Sequence, residues 1–240
     1  IYHFAANADV RGGVENRDID LKQNILVTKS ICDYARVNSC KHLVFASSAT
    51  VYGEPEIFPT PENYSLKQTS VYGASKLAGE AYIQAYSEYS DFKSSIFRFV
   101  SWIGYGYSHG VIYDFYHKLM NNPRELEILG DGNQRKSFLD VSDGVRGILS
   151  LTKHKKITET FNLGHNEIMS VNQLAKLVCS YLKLENTKFI YSGSKRGWIG
   201  DSPLVHLDIS KAQEYGWSPK TSIKDGIKNT LDFLIFKNKS

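Results

Sequence analysis

Short apolar runs alternate along the chain with longer segments whose apolar residues recur every three to four positions. That rhythm predicts a parallel sheet joined by crossover helices. Residues 1–5 predict a strand, 20–37 a helix with Ile25, Ile31 and Tyr34 on one face, and 42–46 a short buried strand. Residues 55–68 hold three of the six prolines and predict a loop. A helix over 74–89 and a strand over 94–100 follow. Beyond Gly104 the pattern changes: 111–120 predicts a helix, 126–129 a short strand, and 142–151 a helix with Ser142 as its N-cap. Residues 161–163 read as the last strand of the sheet, 170–182 as a helix capped by Ser170, and 223–236 as the closing helix. No internal repeat or low-complexity tract interrupts the sequence.

Composition narrows the class more than the fold. With 240 residues, 42% apolar and 22% charged, the chain reads as an ordinary globular protein with room for one large or two modest domains. The net charge of +4 is spread along the chain among acids, and the densest basic run, Lys153-His-Lys-Lys156, reads as the end of a helix. No nucleic-acid partner is expected. No apolar stretch approaches the roughly 18 residues of a membrane span, so no membrane partner is expected either. Cys32, Cys40 and Cys179 lack metal-ligand spacing; reduced thiols, a cytoplasmic location and no metal are the expectation.

Two segments carry the chemistry. Phe45-Ala-Ser-Ser-Ala-Thr-Val-Tyr-Gly53 places Ser48 where an apolar run stops, and Tyr72-Gly-Ala-Ser-Lys76 follows 24 residues after that serine. Four residues apart at a helix start, Tyr72 and Lys76 share one face. A phenol, with a pKa of about 10, is a poor base at neutral pH; an ammonium beside it favours the phenolate. Ser48 would share the proton or hydrogen-bond the reacting oxygen. Alone, Tyr-x-x-x-Lys arises by chance in many helices; joined to Ser-Ser-Ala-Thr-Val-Tyr-Gly it is specific.

Further segments complete a resemblance: His3-Phe-Ala-Ala6, Asn24, Gly130-Asp-Gly-Asn-Gln-Arg-Lys-Ser-Phe138, Arg196-Gly-Trp-Ile-Gly-Asp201 with Pro203, and Leu207-Asp-Ile-Ser-Lys211 followed by Gly216-Trp-Ser-Pro219. In this order, over nearly the whole chain, they resemble the extended short-chain dehydrogenases/reductases, and among these the nucleotide-sugar epimerases of the UDP-glucose 4-epimerase type. The resemblance implies an α/β fold: a Rossmann-type doubly wound parallel sheet over 1–104 and 138–166, with a smaller interleaved α/β substrate domain over 105–137 and 167–240. Relatives carry a Gly-x-x-Gly-x-x-Gly phosphate loop before the point where this chain begins. With Ile1 opening what reads as a buried strand, the expectation is a chain lacking roughly half of a βαβαβ unit.

The resemblance also implies NAD as cofactor, a UDP-hexose or similar nucleotide sugar as substrate, and a homodimer through helices 20–37 and 74–89. Its catalytic set is Ser48, Tyr72 and Lys76. Phe4, Ala5, Ala6, Asn24, Tyr72, Lys76 and Phe99 fall at cofactor positions, Asn24 as a buried amide that bends its helix and organises the lysine. Ser48, Thr50, Ser101, Gly110, Val111, Leu129, Lys136, Arg196 and Asp201 fall at substrate positions. Lys136 stands where relatives show a diphosphate-gripping arginine, with Arg135 just before it, and either residue is a candidate; lysine lacks the bidentate fork. Ser101 replaces an asparagine, and Tyr105-Gly106 a Pro-Arg pair. Arg196 to Asp201 is about one residue longer than in many epimerases. Dehydratases of the same type carry Asp-Glu where this chain has Ala49-Thr50, which favours a 4-epimerase over a dehydratase. A keto-sugar reductase using NADP and a non-catalytic NAD-binding protein are the other readings.

Overall fold

The computed structural model describes residues 1–10, 16–194, 197 and 202–239. The chain folds as two compact units, one of residues 1–99, 147–163 and 207–217, the other of 100–146, 164–206 and 218–240.

The first unit is built on four parallel strands, β1 (Tyr2–His3), β2 (His42–Ser48), β3 (Lys93–Phe99) and β4 (Thr158–Leu163), in the order β1-β2-β3-β4. Each of the longer three contains an apolar stretch of the sequence, and Leu43, Phe45, Ile96, Phe97, Phe161 and Leu163 are buried in them. Helix α1 (Val27–Val37) and helix α2 (Val71–Tyr89) supply the crossovers. Leu43, Phe45 and Ile96 pack with Cys32, Ala35, Ile83 and Phe92 into one core. At the outer side of β4, Glu62 Oε1 accepts the Asn162 backbone N–H at 2.9 Å and the Lys211 ammonium donates to the Thr160 carbonyl at 2.7 Å.

Three sequence expectations are corrected here. The helix expected over 20–37 is composite: a turn at Arg17–Asp20, a π-helical turn at Leu21–Leu26, then α1. Its buried face is Asn24, Thr28, Cys32 and Ala35, one residue out of step with the expected face, and Tyr34 is 59% exposed. An apolar-only reading misses this face because its first two residues, Asn24 and Thr28, are polar. Helix α2 starts at Val71, earlier than expected, because Ser70 accepts the Gly73 N–H at 3.0 Å and caps it. Ser142 is not a cap: it lies inside Val141–Leu151 and donates its N–H to Asp140 Oδ1 at 2.9 Å. Ser170 does cap Val171–Tyr181, with Gln173 completing a capping box.

In the second unit, helices Val111–Asn121, Val171–Tyr181 and Ile223–Lys239 enclose a core of Ile112, Phe115, Leu119, Leu126, Leu174, Val178, Ile227 and Leu231. Its strands are short. Ser101–Ile103 pairs with Phe138–Asp140, Glu125–Ile128 with Lys188–Tyr191, and Arg135–Lys136 lies between Leu204–Val205 and Met169–Ser170. Residues 138–146, expected with the first unit, belong to the second because Phe138–Asp140 pairs with Ser101–Ile103. Residues 207–217 belong to the first, where the Asp208 N–H reaches the Thr60 carbonyl at 2.9 Å.

Candidate active site

Strand β2 ends on Ser48, whose hydroxyl accepts the Thr50 N–H at 3.2 Å and caps the 3₁₀ turn Ala49–Tyr52. Helix α2 places Tyr72 in its first turn and Lys76 one turn on, 9% and 4% exposed. Ser48 lies near enough to the Tyr72 phenol to act on its ionisation. The Lys76 ammonium donates to the Ala46 carbonyl at 2.8 Å and lies 5.0 Å from the Phe45 ring centre and 5.9 Å from that of Tyr72. The carboxyl end of β2 and the amino end of α2 thus bring the three expected residues into one buried corner.

The electrostatics differ from the expectation at the phenol. Burial pushes Tyr72 up to about 12, opposed by Ser48 and reinforced by Asp20. Burial pushes Lys76 down to about 8, with Asp20 and Glu80 opposing. Lys76 does not acidify the phenol here: burial dominates, and the ammonium is turned to the Ala46 carbonyl. At neutral pH the corner holds a neutral phenol and a protonated lysine. His3, at the end of β1, is pushed down to about 4 by burial and then by Lys76, so it is neutral as well; its Nε2 is 2.9 Å from Thr28 Oγ1.

Asn24 is buried inside the π turn, as expected of an amide that distorts its helix. Its Oδ1 accepts the Asn7 N–H at 2.8 Å, and its Nδ2 donates to Asp20 Oδ1 at 3.0 Å and Ser75 Oγ at 2.8 Å. It therefore reaches Lys76 through the preceding residue, Ser75, which in turn donates to the Tyr72 carbonyl at 2.8 Å.

Phe4, Ala5 and Ala6 follow β1 at the carboxyl end of the sheet, where open α/β sheets bind ligands. Phe4 is 50% exposed and Ala5 is exposed, an apolar shelf with small side chains that a flat ring can approach. Phe99 closes β3, its ring stacked on Phe97 at 6.2 Å. Thr50 Oγ1 is buried with no hydrogen-bond partner. An apolar shelf, a phenol, an ammonium and an unmatched hydroxyl form a donor set that fits a nicotinamide nucleotide and a polyhydroxylated substrate.

In the second unit, Ser101 opens its strand and is exposed, Gly110 has φ of 98°, and Val111 starts the following helix. Leu129 follows strand Glu125–Ile128 and is half-buried. Lys136 donates to the Ser202 carbonyl, while Arg135 beside it is exposed. Arg196 and Asp201 lie outside the described residues. Among the described residues no cluster of three His, Cys, Asp or Glu side chains could hold a metal, and no helix is long and apolar enough to cross a membrane.

One network escaped the sequence reading. Arg98 on β3 grips Glu80 on α2 with both carboxylate oxygens, Nη2 to Oε2 at 2.7 Å and Nε to Oε1 at 3.0 Å, and Ser47 also donates to Glu80. Arg98 Nη1 donates to the Tyr52 hydroxyl at 2.8 Å and the Glu62 carbonyl at 2.9 Å, and Tyr52 donates to Asn162 Oδ1 at 2.7 Å. The signal was there: an arginine inside a buried strand needs a partner, and Glu80 lies one turn after Lys76.

The profile of the family described as "NAD dependent epimerase/dehydratase family" matches residues 1–164. A protein of Methanocaldococcus jannaschii, provisionally named a UDP-glucose 4-epimerase, is 33% identical over all of this chain and 78% of its own length. The crystal structure of UDP-glucose 4-epimerase from Thermotoga maritima with UDP-glucose matches 99% of this chain and 77% of its own, at 28% identity and a TM-score of 0.90. That of the Thermus thermophilus UDP-glucose 4-epimerase complexed with NAD matches 98% and 76%, at 25% identity and a TM-score of 0.86.

Proposed function

The chain belongs to the NAD dependent epimerase/dehydratase family, and we propose that within it the protein inverts C4 of a nucleotide-activated sugar, a UDP-hexose of the glucose/galactose type. The observation that carries this reading is the buried corner in which Ser48, Tyr72 and Lys76 meet. Bound NAD supplies a hydride acceptor and donor at C4. Phe4, Ala5, Ala6 and Lys76 would hold its nicotinamide half, and Phe99 lies at a cofactor position.

Tyr72 is the acid/base that takes the 4-hydroxyl proton as the 4-keto sugar forms and returns it after the sugar has turned over. Ser48, beside the phenol, passes or orients that proton. Lys76 is the fixed positive charge that a phenolate at this position requires. In the free protein burial keeps the phenol neutral, so it deprotonates only as the buried site gains further positive charge or the proton is drawn through Ser48. Thr50, Ser101, Gly110, Val111, Leu129, Lys136, Arg196 and Asp201 are proposed to contact the nucleotide sugar.

Ala49 and Thr50 bear on the alternatives. They occupy the 3₁₀ turn beside Ser48, and neither can supply the acid and base that eliminating water across C5–C6 demands, which weighs against a dehydratase. The free thiols Cys32, Cys40 and Cys179 favour the cytoplasm. Tyr34, Val37, Tyr82 and Tyr89 leave apolar surface on α1 and α2 that favours a homodimer.

The test is to incubate the purified protein and NAD with UDP-glucose, UDP-galactose and their N-acetyl forms, and to separate the products chromatographically. Interconversion of a C4 pair is expected. Loss of water from the sugar, or net reduction of a keto sugar at the expense of a reduced nicotinamide, would replace the epimerase reading.

A further inference from the structure

The corner that holds Tyr72 uses the carboxyl ends of the strands; the amino ends carry a second group of polar side chains. His42 opens β2, Ser95 lies near the start of β3, and His154 stands in the connector between helix Val141–Leu151 and β4. Ser95 is 0% exposed and His154 is buried. His42 Nε2 is 2.8 Å from Ser95 Oγ, and His154 Nε2 is 2.7 Å from the same oxygen. The two rings stand edge to face, their centres 5.7 Å apart. Among the described residues that hydroxyl makes no other hydrogen bond.

A serine hydroxyl has one proton. Set between two imidazoles, it donates to one Nε2 and accepts from the other. The two neutral rings must then hold opposite tautomers, one protonated at Nδ1 and the other at Nε2. Add a proton at the bare Nε2 and both rings donate to one oxygen. The serine proton loses its acceptor, and an imidazolium is left in buried surroundings. The neighbours do not compensate. His42 is faced by His154, by Lys93 at the start of β3, and by the Ile1 amine and the Cys40 thiol, which donate to its carbonyl at 2.8 and 3.3 Å. His154 is faced by Lys93, by Lys156 in its own connector, and by Glu159 on β4. That carboxylate is already matched, held by Lys156 at 2.6 Å and by Lys211. Burial first, then His154, the Ile1 amine and Lys93, holds His42 below the usual imidazole value; burial holds His154 below it against Glu159.

We propose that His42, Ser95 and His154 form a proton-sensitive clasp: closed while both rings are neutral, it pins the connector before β4 to β2 and β3, and a proton taken up by the pair opens it. The sign follows from the burial. Each ring binds its proton less readily folded than unfolded, so the clasp contributes fully above the unfolded histidine value of about 6.5 and fails as pH falls below it. The inference does not rest on the epimerase reading, since none of the three residues belongs to the Tyr72 corner.

The test reads the rings directly. In ¹⁵N-labelled protein, long-range ¹H–¹⁵N correlations report the protonation of each ring nitrogen, the resonances being assigned through bonds and checked by their loss in His42→Gln and His154→Gln. At neutral pH one ring is expected as the Nδ1–H tautomer and the other as Nε2–H, and both are expected to titrate below about 6.5. Glutamine can reach the Ser95 oxygen with an amide that does not titrate. Between about pH 7.5 and about pH 5.5 the folding equilibrium of the wild type should fall about tenfold more than that of His154→Gln, the worth of one imidazole kept neutral across that range. The Ser94 amide, bonded to the Ile157 carbonyl of the connector at 2.7 Å, should lose protection against hydrogen exchange over the same range, after correction for its intrinsic rate, and keep it in His154→Gln. Like tautomers on the two rings, a midpoint at or above about 6.5, a Ser94 amide indifferent to pH, or equal acid sensitivity in wild type and His154→Gln overturns the proposal. If the variant does not fold, the tautomers, midpoints and Ser94 protection, all read in the wild type, decide the matter.

Discussion

Replacing Glu80 with alanine tests whether the hidden ion pair is what locks α2 to the sheet. The side chains of Arg98 and Glu80 are 5% and 1% exposed, and their two contacts of 2.7 and 3.0 Å make a bidentate pair. In Glu80→Ala the guanidinium stays buried with only the Tyr52 hydroxyl and the Glu62 carbonyl to receive it. Stranding one partner of a buried pair costs about 3–5 kcal/mol, and the Ser47 hydroxyl loses its acceptor, about 1 kcal/mol more. A loss of about 4–6 kcal/mol is a large share of the 5–15 kcal/mol typical of a folded domain. With a urea slope of about 2 kcal/mol/M, the unfolding midpoint should fall by about 2–3 M. The buried Trp217 lies in the same unit and reports it by fluorescence, with far-ultraviolet circular dichroism as the second probe. The companion variant removes both charges, Glu80→Leu with Arg98→Met, and should recover most of the loss, since apolar replacement of a whole buried pair is often neutral. A Glu80→Ala penalty below about 1 kcal/mol, the worth of an exposed pair, would refute the reasoning, as would a double variant no better than the single one.

Other expectations follow from the same site. Tyr72→Phe keeps the ring and deletes one hydroxyl, so stability should change little while turnover falls by about 10²–10⁴; near-wild-type turnover would remove Tyr72 from its role. Thr50→Val removes a buried hydroxyl that has no partner, so the free protein should be no less stable by thermal melting, while KM for the nucleotide sugar rises; an unchanged KM would place that hydroxyl outside the substrate's reach. Light scattering should show a dimer that α1 and α2 mediate, and arginine placed at both Tyr82 and Tyr89, exposed on α2, should dissociate it; a wild-type monomer at tens of micromolar contradicts the dimer.

The buried corner was legible because its signal is local: a strand end and a helix start, each a few residues long, carry Ser48, Tyr72 and Lys76. The sheet was legible in part, because each strand carries a short apolar stretch; the last begins at Thr158, ahead of the expected 161–163, since its first three residues, Thr-Glu-Thr, are polar. Errors came where polar residues turn inward or elements are very short. On the helix ending at Val37 the buried face is Asn24, Thr28, Cys32 and Ala35 rather than Ile25, Ile31 and Tyr34, because the polar Asn24 and Thr28 take inward positions. Two-residue strands such as Arg135–Lys136 are too short to show an alternation at all. The Glu80–Arg98 pair was half legible: an arginine in a buried strand signals that a partner exists, but which residue faces it across the fold is not reported by spacing along the chain.

The outer side of β4 has a consequence beyond the site. A terminal strand in a sheet offers a row of backbone donors and acceptors that a strand from another molecule can adopt, the first step toward aggregation. Here a carboxylate from the proline-rich loop, that of Glu62, occupies the Asn162 N–H, and the Lys211 ammonium occupies the Thr160 carbonyl. Asn162 adds two bonds outward, to the Thr60 and Asp208 carbonyls, both at 3.0 Å. Side chains of opposite charge thus stand where a neighbouring backbone would dock, and two segments far apart in the chain serve as a selvedge that keeps this margin of the sheet from templating growth.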